Sequence, residues 1–446
     1  MAFLTDQQTL DDLNIFGRPG EESIYQIFNN TKTRGGAAIL EEMFRFPLSD
    51  EGNINNRSQT IQYFAKSGKQ FLFTVANFDA VESYMQNTDG RTKLSAQGDS
   101  IARKLSNLVA LDADTAAIYN GIVALLKLLQ ELNHFLNGLD NGDQPEKTEI
   151  LNILILPEFK EVLQLPSHIK LTSSQYTAYD ELFRFRYRDR VLKILSYVYS
   201  LDVYLSVAKV AVERAFVFPK ALPKDQHVLR LEGVYHPQVK NAVANSIHIT
   251  PDNNVIFLTG ANMAGKSTFM KSLSISLFLA HMGFPVAASQ MEFSVLDGIY
   301  TTINLPDNLG MGASHFYVEV LRAKKIALEL KLGRNLFVLF DEMFRGTNVK
   351  DACEATIAFT EAFAGKKNSV FVISTHILEA GEVLRERCDN INFVYLPTHM
   401  DGNLPVYTYT LEQGLTADRH GMIIIKNEGI LDILAAGIAR INKQNV

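Results

Sequence analysis

Residues Thr259 to Phe269 read TGANMAGKSTF. Gly260, Gly265, Lys266 and Ser267 satisfy the spacing G-x4-G-K-[ST], and the apolar run VIFL (Val255 to Leu258) leads straight into it. An apolar run, a glycine turn and an amphipathic stretch together form the strand–loop–helix context of a phosphate-binding loop. Such a loop wraps backbone N–H groups around phosphate oxygens, and the following helix aims the positive end of its dipole at them. In that frame Lys266 reaches the β- and γ-phosphates and the Ser267 hydroxyl ligates Mg²⁺. The expected ligand is a nucleoside triphosphate.

A second stretch, LFVLFDEMFRGTN (Leu336 to Asn348), ends an apolar run in Asp341 and Glu342. An aspartate at the carboxyl end of a buried strand binds Mg²⁺, directly or through water. The adjoining glutamate then stands where it polarises an attacking water. VFVISTHILEA repeats the pattern, placing His376 just past another buried run. His376 reads either as a sensor of the γ-phosphate or as a structural histidine at a strand end, and Thr375 as a residue that satisfies backbone groups at the turn. LGMGASHFYVEV (Leu309 to Val320) gives a glycine turn followed by Ser314 as a helix N-cap.

The texture of the chain changes along its length. Residues up to about 220 carry apolar positions at three- and four-residue spacing, notably in Asp112–Leu139 and Asp189–Ala215. After Pro219 short apolar runs alternate with helical stretches, and Leu336–Phe340 and Ser369–Ser374 suit strands covered on both faces. The expectation is a helical domain over residues 1–222, followed by an α/β P-loop ATPase domain over 223–446. At 446 residues the chain exceeds a single core. Two cysteines, no basic-flanked apolar leader and no run of roughly 18 apolar residues predict a cytoplasmic chain without disulfides or an integral membrane segment.

A net charge of −6 sits awkwardly with duplex binding, whose footprint is basic. The densest local exception is FRFRYRDR, where Arg184, Arg186 and Arg188 interleave with aromatics. This run reads as a strand with one wet face or as a helix start, and its arginines as a solvated surface or as DNA contacts.

Taken together, these segments resemble the MutS family of DNA mismatch-repair and recombination ATPases. TGANMAGKST is similar to the family's TGPNMGGKST, with Ala261 and Ala264 in place of proline and glycine. DEMFRGTNVKDA resembles DEIGRGTSTYDG, and STHILE fits the family's ATHYHEL region through Thr375, His376 and Glu379. Ser314, Phe316 and Glu319 fit STFMVEM, His236-Pro237 fits the RHP element, and Asn245 the asparagine before the domain's first strand. DGIYTTI (Asp297 to Ile303) resembles DRIFTRI, with Gly298 and Thr302 where arginine is usual. In the first domain Thr33, Gly36, Pro47, Leu48 and Arg57 stand at the spacing of TxxGxRLLRxWLxxPLxDxxxIxxR.

The resemblance implies an ABC-type ATPase domain after a helical core and lever domain. ATP would lie against Asn262, Met263, Ala264, Gly265, Lys266, Ser267 and Thr268, with His236 or Tyr235 beside adenine and Mg²⁺ on Ser267 and Asp341. Glu342 and His376 would be catalytic. In a homodimer, Ser314 would complete the partner's site in trans. The mismatch-reading and connector domains have no counterpart, and the clamp is expected to be reduced or absent. Two functions follow as expectations: nucleotide-driven lever movement on mismatched, branched or distorted duplex DNA, or an ATP-gated switch that binds a protein partner without touching DNA.

Overall fold

The computed structural model describes residues 2–17, 20, 22–94, 110–139, 145–166, 171–303, 315–344, 346–402, 404–416, 429–431 and 433–434. Helices fill the first half: α1 (Gln7–Asp12), α2 (Ile24–Phe28), α3 (Arg34–Arg45), α4 (Glu51–Ser67), α5 (Ala76–Gln86), α6 (Ala110–Asn137), α7 (Pro145–Leu154), α8 (Pro157–Leu163), α9 (Ser173–Asp180) and α10 (Arg188–Glu213). From Lys220 onward strands and helices alternate. The chain is therefore a helical region followed by a mixed α/β region. By compactness it divides into one unit of Met1–Phe28, Met43–Gln62 and Val210–Val446, and a second of Asn29–Glu42 and Tyr63–Lys209.

The first unit is organised by a six-stranded sheet. It contains β4 (Val255–Gly260), β6 (Gly298–Thr302), β7 (Leu336–Asp341), β8 (Val370–Ser374), β9 (Ile391–Leu396) and β12 (Glu412–Gln413), in the order β12-β9-β4-β8-β7-β6. All neighbours are parallel except β12, which runs antiparallel to β9. Every residue of β4, β6 and β8 is buried, as expected of a parallel sheet covered on both faces. Helices α11 (Lys266–His281), α12 (His315–Lys331), α13 (Val349–Ala364) and α14 (Leu378–Arg387) supply that cover. Packed rings carry much of the core: Phe340, Phe363 and Phe371 stack successively, with centroids 5.8 and 4.6 Å apart. Fully burying one such ring contributes about 1.5–3 kcal/mol.

A smaller four-stranded sheet joins β1 (Lys220–Leu222), β5 (Gln290–Ser294), β2 (Leu229–Val234) and β3 (Asn245–Ile249) in that order, and β10 (Thr398–Asp401) pairs with β11 (Leu404–Tyr407) as a hairpin. The start of the chain also belongs to this unit. Leu4 bridges in parallel to Gly298 on the edge strand β6, and α1 packs beside that strand.

The second unit is a helical assembly. α5 and α6 approach so closely at Gly121 that a Cβ there would lie 2.2 Å from the Cβ of Tyr84. Asp202 of α10 is buried and accepts from the backbone N–H groups of Lys32 and Thr33 and from the Thr33 hydroxyl. Thr33 in turn caps α3 by accepting from Gly36 N at 2.9 Å. α10 is long and apolar enough to cross a membrane, with a mean hydropathy of 1.4, yet 67% of that window is buried within the protein. It reads as a core helix.

Candidate active site

The phosphate-binding loop grows out of β4. Gly260 ends the strand at φ 143° and Gly265 stands at φ 99° at the N-cap of α11, with no side chain capping the helix. A Cβ on Gly265 would meet the Tyr409 ring at 3.0 Å, so both the turn and the close approach call for glycine. Asn262 and Met263 occupy the exposed outer turn and Ala264 is fully buried beneath it. The first N–H groups of α11 lack intrahelical partners by construction, which makes this helix start a donor site for anions.

Lys266 opens α11 and is 5% exposed. Its Nζ donates to the carbonyls of Gly260 at 2.8 Å and Ala261 at 3.2 Å, so the ammonium sits inside its own loop. Burial pulls its pKa below the ordinary lysine value, and the carboxylates of Glu342 and Asp341 oppose that shift. The Ser267 hydroxyl donates to Asp341 Oδ2 at 2.8 Å, joining the loop to the end of β7. Asp341 Oδ1 is buried without a hydrogen-bond partner. A buried carboxylate oxygen left in that state is costly unless a cation or water completes it. Hydroxyl and carboxylate oxygens are also the hard donors that Mg²⁺ takes. Ser267 and Asp341 therefore fit Mg²⁺.

Glu342 follows in the left-handed region at φ 52°, with its N–H donating to Ser374 O at 2.9 Å. Its carboxylate meets His376 Nε2 at 2.5 Å; the glutamate side chain is 15% exposed and the histidine 39%. Both line a hollow of about 330 Å³ together with Phe344, Thr347 and Val349. Thr375 Oγ1 accepts the Ile377 N–H at 3.1 Å, the turn-satisfying role read from the sequence.

A second cavity, of about 340 Å³, flanks the phosphate loop and is lined by His236, Asn245, Gly265, Thr268 and Tyr409 among others. That volume lies within the range of small-ligand sites. His236 is held neutral at pH 7: burial and then the Lys271 charge push its pKa down to about 4. Tyr235 packs edge-on against Phe216 and is not among the lining residues. Asn245 pins the far wall, donating to Tyr409 O at 2.9 Å and accepting from Leu411 N at 2.6 Å.

Lys266, Ser267, Asp341, Glu342 and His376 are thus brought together by the ends of three strands, β4, β7 and β8, that lie far apart in the chain. Ser314 lies outside the described residues, as does Arg345. The arginines of FRFRYRDR belong to the other unit, where residues 183–186 lie in a π-helical turn (Glu181–Arg186) and residues 188–190 open α10, so the run is a helix start rather than a strand. Arg184 must be withdrawn as a DNA contact. It is 2% exposed, and its N–H groups go to Asp180 Oδ1 and Oδ2, to the Asn87 and Thr92 carbonyls and to the Thr92 hydroxyl. Arg186 is exposed and pairs with Glu158 at 3.4 Å, while Arg188 donates to Met85 O at 3.1 Å.

Sequence reasoning missed Tyr409, which walls the second cavity, and the contacts of Phe316 and Glu319 on α12 with Phe344 in the turn after β7. No local pattern marks either. Tyr409 comes from an irregular segment, and the α12 contacts join residues separated by about one helix and one strand of chain.

The profile of MutS domain III matches residues 8–208, and that of MutS domain V matches residues 256–441. A DNA mismatch repair protein MutS of Fusobacterium nucleatum is 27% identical over 286 residues, covering 62% of this chain and 31% of that protein. Another of the same description, from Streptococcus suis, is 30% identical over 262 residues, covering 57% of this chain and 30% of that protein. The chain thus spans about a third of the length of these relatives.

Proposed function

This chain belongs to the MutS family, and from that premise we propose that it hydrolyses ATP and uses the cycle to move its helical unit, acting as a homodimer on branched or distorted duplex DNA. The observation that carries the ATPase reading is the junction of Ser267 with Asp341, beside the buried Lys266 and next to Glu342. ATP phosphates would accept from the N–H groups at the start of α11, drawing the Lys266 ammonium off its loop carbonyls. Asn262, Met263, Ala264, Gly265 and Thr268 would line the phosphate path, and His236 would lie in the cavity that takes the base. Mg²⁺ on Ser267 and Asp341 would neutralise charge on the phosphate oxygens. Glu342 would orient the attacking water, with His376 holding the carboxylate in place and registering loss of the γ-phosphate. Ser314 of a second subunit would complete the site, and closure would exclude water from it. In this reading the helical unit, Asn29–Glu42 with Tyr63–Lys209, acts as the lever and the unit built on the six-stranded sheet as the motor, a division that differs from the 1–222 and 223–446 expected from sequence.

The test is phosphate release by the purified chain with and without Mg²⁺, beside Glu342→Gln. Turnover is expected to fall by about 100-fold or more in the variant while nucleotide binding persists. Equal turnover in the two proteins sinks the reading. DNA contact is tested by titrating duplex, mismatched and junction DNA across a salt series, since phosphate contacts weaken steeply with salt.

Two observations favour a second reading. The guanidinium of Arg184 is consumed inside its own unit and the chain carries a net charge of −6, both of which suit an ATP-gated switch that grips a protein partner. Absence of salt-sensitive DNA binding in every nucleotide state would decide for the switch.

A further inference from the structure

The turn that follows β7 holds two residues in the left-handed region, Glu342 at φ 52° and Phe344 at φ 66°. A phenylalanine is strained there, because its Cβ crowds the following carbonyl. Something must hold it, and two contacts from the start of α12 do so. The Phe344 ring, fully buried, packs on Phe316 of α12 with centroids 5.7 Å apart, and on Phe359 of α13 at 5.1 Å. The Phe344 N–H donates to Glu319 Oε2 at 2.7 Å. Phe316 and Glu319 stand three residues apart, on one face of the helix. One face of α12 therefore grips this residue by both its ring and its backbone.

We propose that Glu319 is a positioning residue for Glu342. Its carboxylate fixes the backbone two residues beyond Glu342, and so sets the direction in which the Glu342 side chain leaves the strand end. Any displacement of the first turns of α12 is then transmitted through Met343 and Phe344 to the group that orients water. Without the Glu319 acceptor the strained φ at Phe344 loses a restraint, and the Glu342 carboxylate drifts from the line of attack. A misplacement of about 1 Å costs on the order of 100-fold in rate. The effect falls on the chemical step, because the Glu319 carboxylate holds the turn that carries Glu342.

The inference rests on the reading of Glu342 as the water-orienting group, and the experiment separates the two. Steady-state ATP hydrolysis is measured for the parent chain, Glu342→Gln, Glu319→Ala, Glu319→Gln and Glu319→Met, with binding of a fluorescent ATP analogue followed in parallel. Glu319→Ala is expected to lower kcat by about tenfold or more while KM and analogue affinity stay within about threefold. Glu319→Gln keeps an acceptor for the Phe344 N–H and is expected to recover most of kcat. Glu319→Met fills the same space without an acceptor, so it is expected to match Ala and serves if the alanine variant does not fold. A parent chain without turnover, or one unaffected by Glu342→Gln, refutes the ATPase reading itself. With those controls in order, unchanged kcat in a folded Ala or Met variant refutes the role of Glu319. So does an equal loss in Gln, or a loss that appears only in KM. If both Ala and Met fail to fold, Glu319 is a structural residue and the proposal falls.

Discussion

Replacing Arg184 with methionine should cost stability, not DNA affinity. The side chains of Arg184 and Asp180 are 1% and 0% exposed, and the guanidinium meets both carboxylate oxygens, at 2.5 and 2.6 Å. Methionine fills much of the same volume but leaves Asp180 buried, with Tyr84 Oη at 3.2 Å and Leu94 N at 3.1 Å as the donors that remain to it among the described residues. Removing one partner of a buried ion pair costs about 3–5 kcal/mol, because the surviving charge is left uncompensated. For a unit of this size each kcal/mol shifts the melting temperature by about 2–4 °C, which gives a fall of roughly 6–20 °C. Thermal melts followed by circular dichroism read this directly. Adding Asp180→Asn removes the stranded charge but keeps an acceptor for Tyr84 and Leu94, so the double variant should melt above Arg184→Met alone. A single variant within about 2 °C of the parent, or a double variant no more stable than the single, would refute the argument. Arg186→Ala with Arg190→Ala removes exposed charge from the turn and the start of α10, whereas any variant of Arg184 confounds binding with folding.

Three further outcomes are expected. Burial alone would raise the Asp6 pKa, but hydrogen bonds from Arg322 and Lys325 overcome it and hold the carboxyl far below its usual range; the folded value lies below the unfolded one, so Asp6 contributes stability in full above about pH 5 and loses it as the pH falls. The gap in melting temperature between the parent and Asp6→Asn should therefore narrow steadily as the pH falls below about 5, and a gap independent of pH would contradict this. Asp341→Asn should weaken Mg²⁺-dependent ATP binding by about tenfold or more and leave binding in EDTA nearly unchanged, as measured by calorimetry. Gly298→Val should destabilise the sheet edge by at least about 1–3 kcal/mol, because a Cβ there would lie 2.4 Å from Leu4 O; urea melts equal to the parent's would refute that close approach.

The α/β region was legible because its signals are local. A buried run ending in a glycine turn, and two more ending in Asp341-Glu342 and Thr375-His376, define strand ends that a parallel sheet must bring to one edge. The long helices α6 and α10 were legible for the same reason, their apolar spacing being continuous. FRFRYRDR misled because composition does not say which face an arginine occupies. A π-helical turn rotates Phe183 and Arg184 inward, and the acid that makes this tolerable, Asp180, lies four residues upstream, at the end of a helix with no strong periodicity. The small sheet of β1, β5, β2 and β3 and the seating of the chain's first residues on β6 were also missed. Both depend on partners far apart in the chain, and such pairings leave no local pattern.

The seating of that first segment accounts for the two arginines absent from DGIYTTI. Leu4 N donates to Asp297 O at 2.8 Å and Ile299 N donates to Leu4 O at 2.9 Å, so residue 298 lies under a neighbouring backbone with room for a hydrogen and nothing larger. An arginine there would displace the segment. At Thr302 charge is present but arrives from another element: Arg322 of α12 donates through Nε to Thr302 Oγ1 at 3.3 Å and through Nη2 to Thr301 O at 2.8 Å. The same guanidinium pairs with Asp6, which also caps α1 by accepting from Thr9 N. Thr9 and Asp12 in turn bond to Thr301 and Ile303. One buried cation thus ties α12, the edge strand and the first helix together, and it does so one turn beyond Glu319 on the same helix. The contact that holds the turn after β7 and the contact that seats the chain's first helix therefore share a single element, α12. Loosening Asp6 should reach turnover by the path that runs through Glu319.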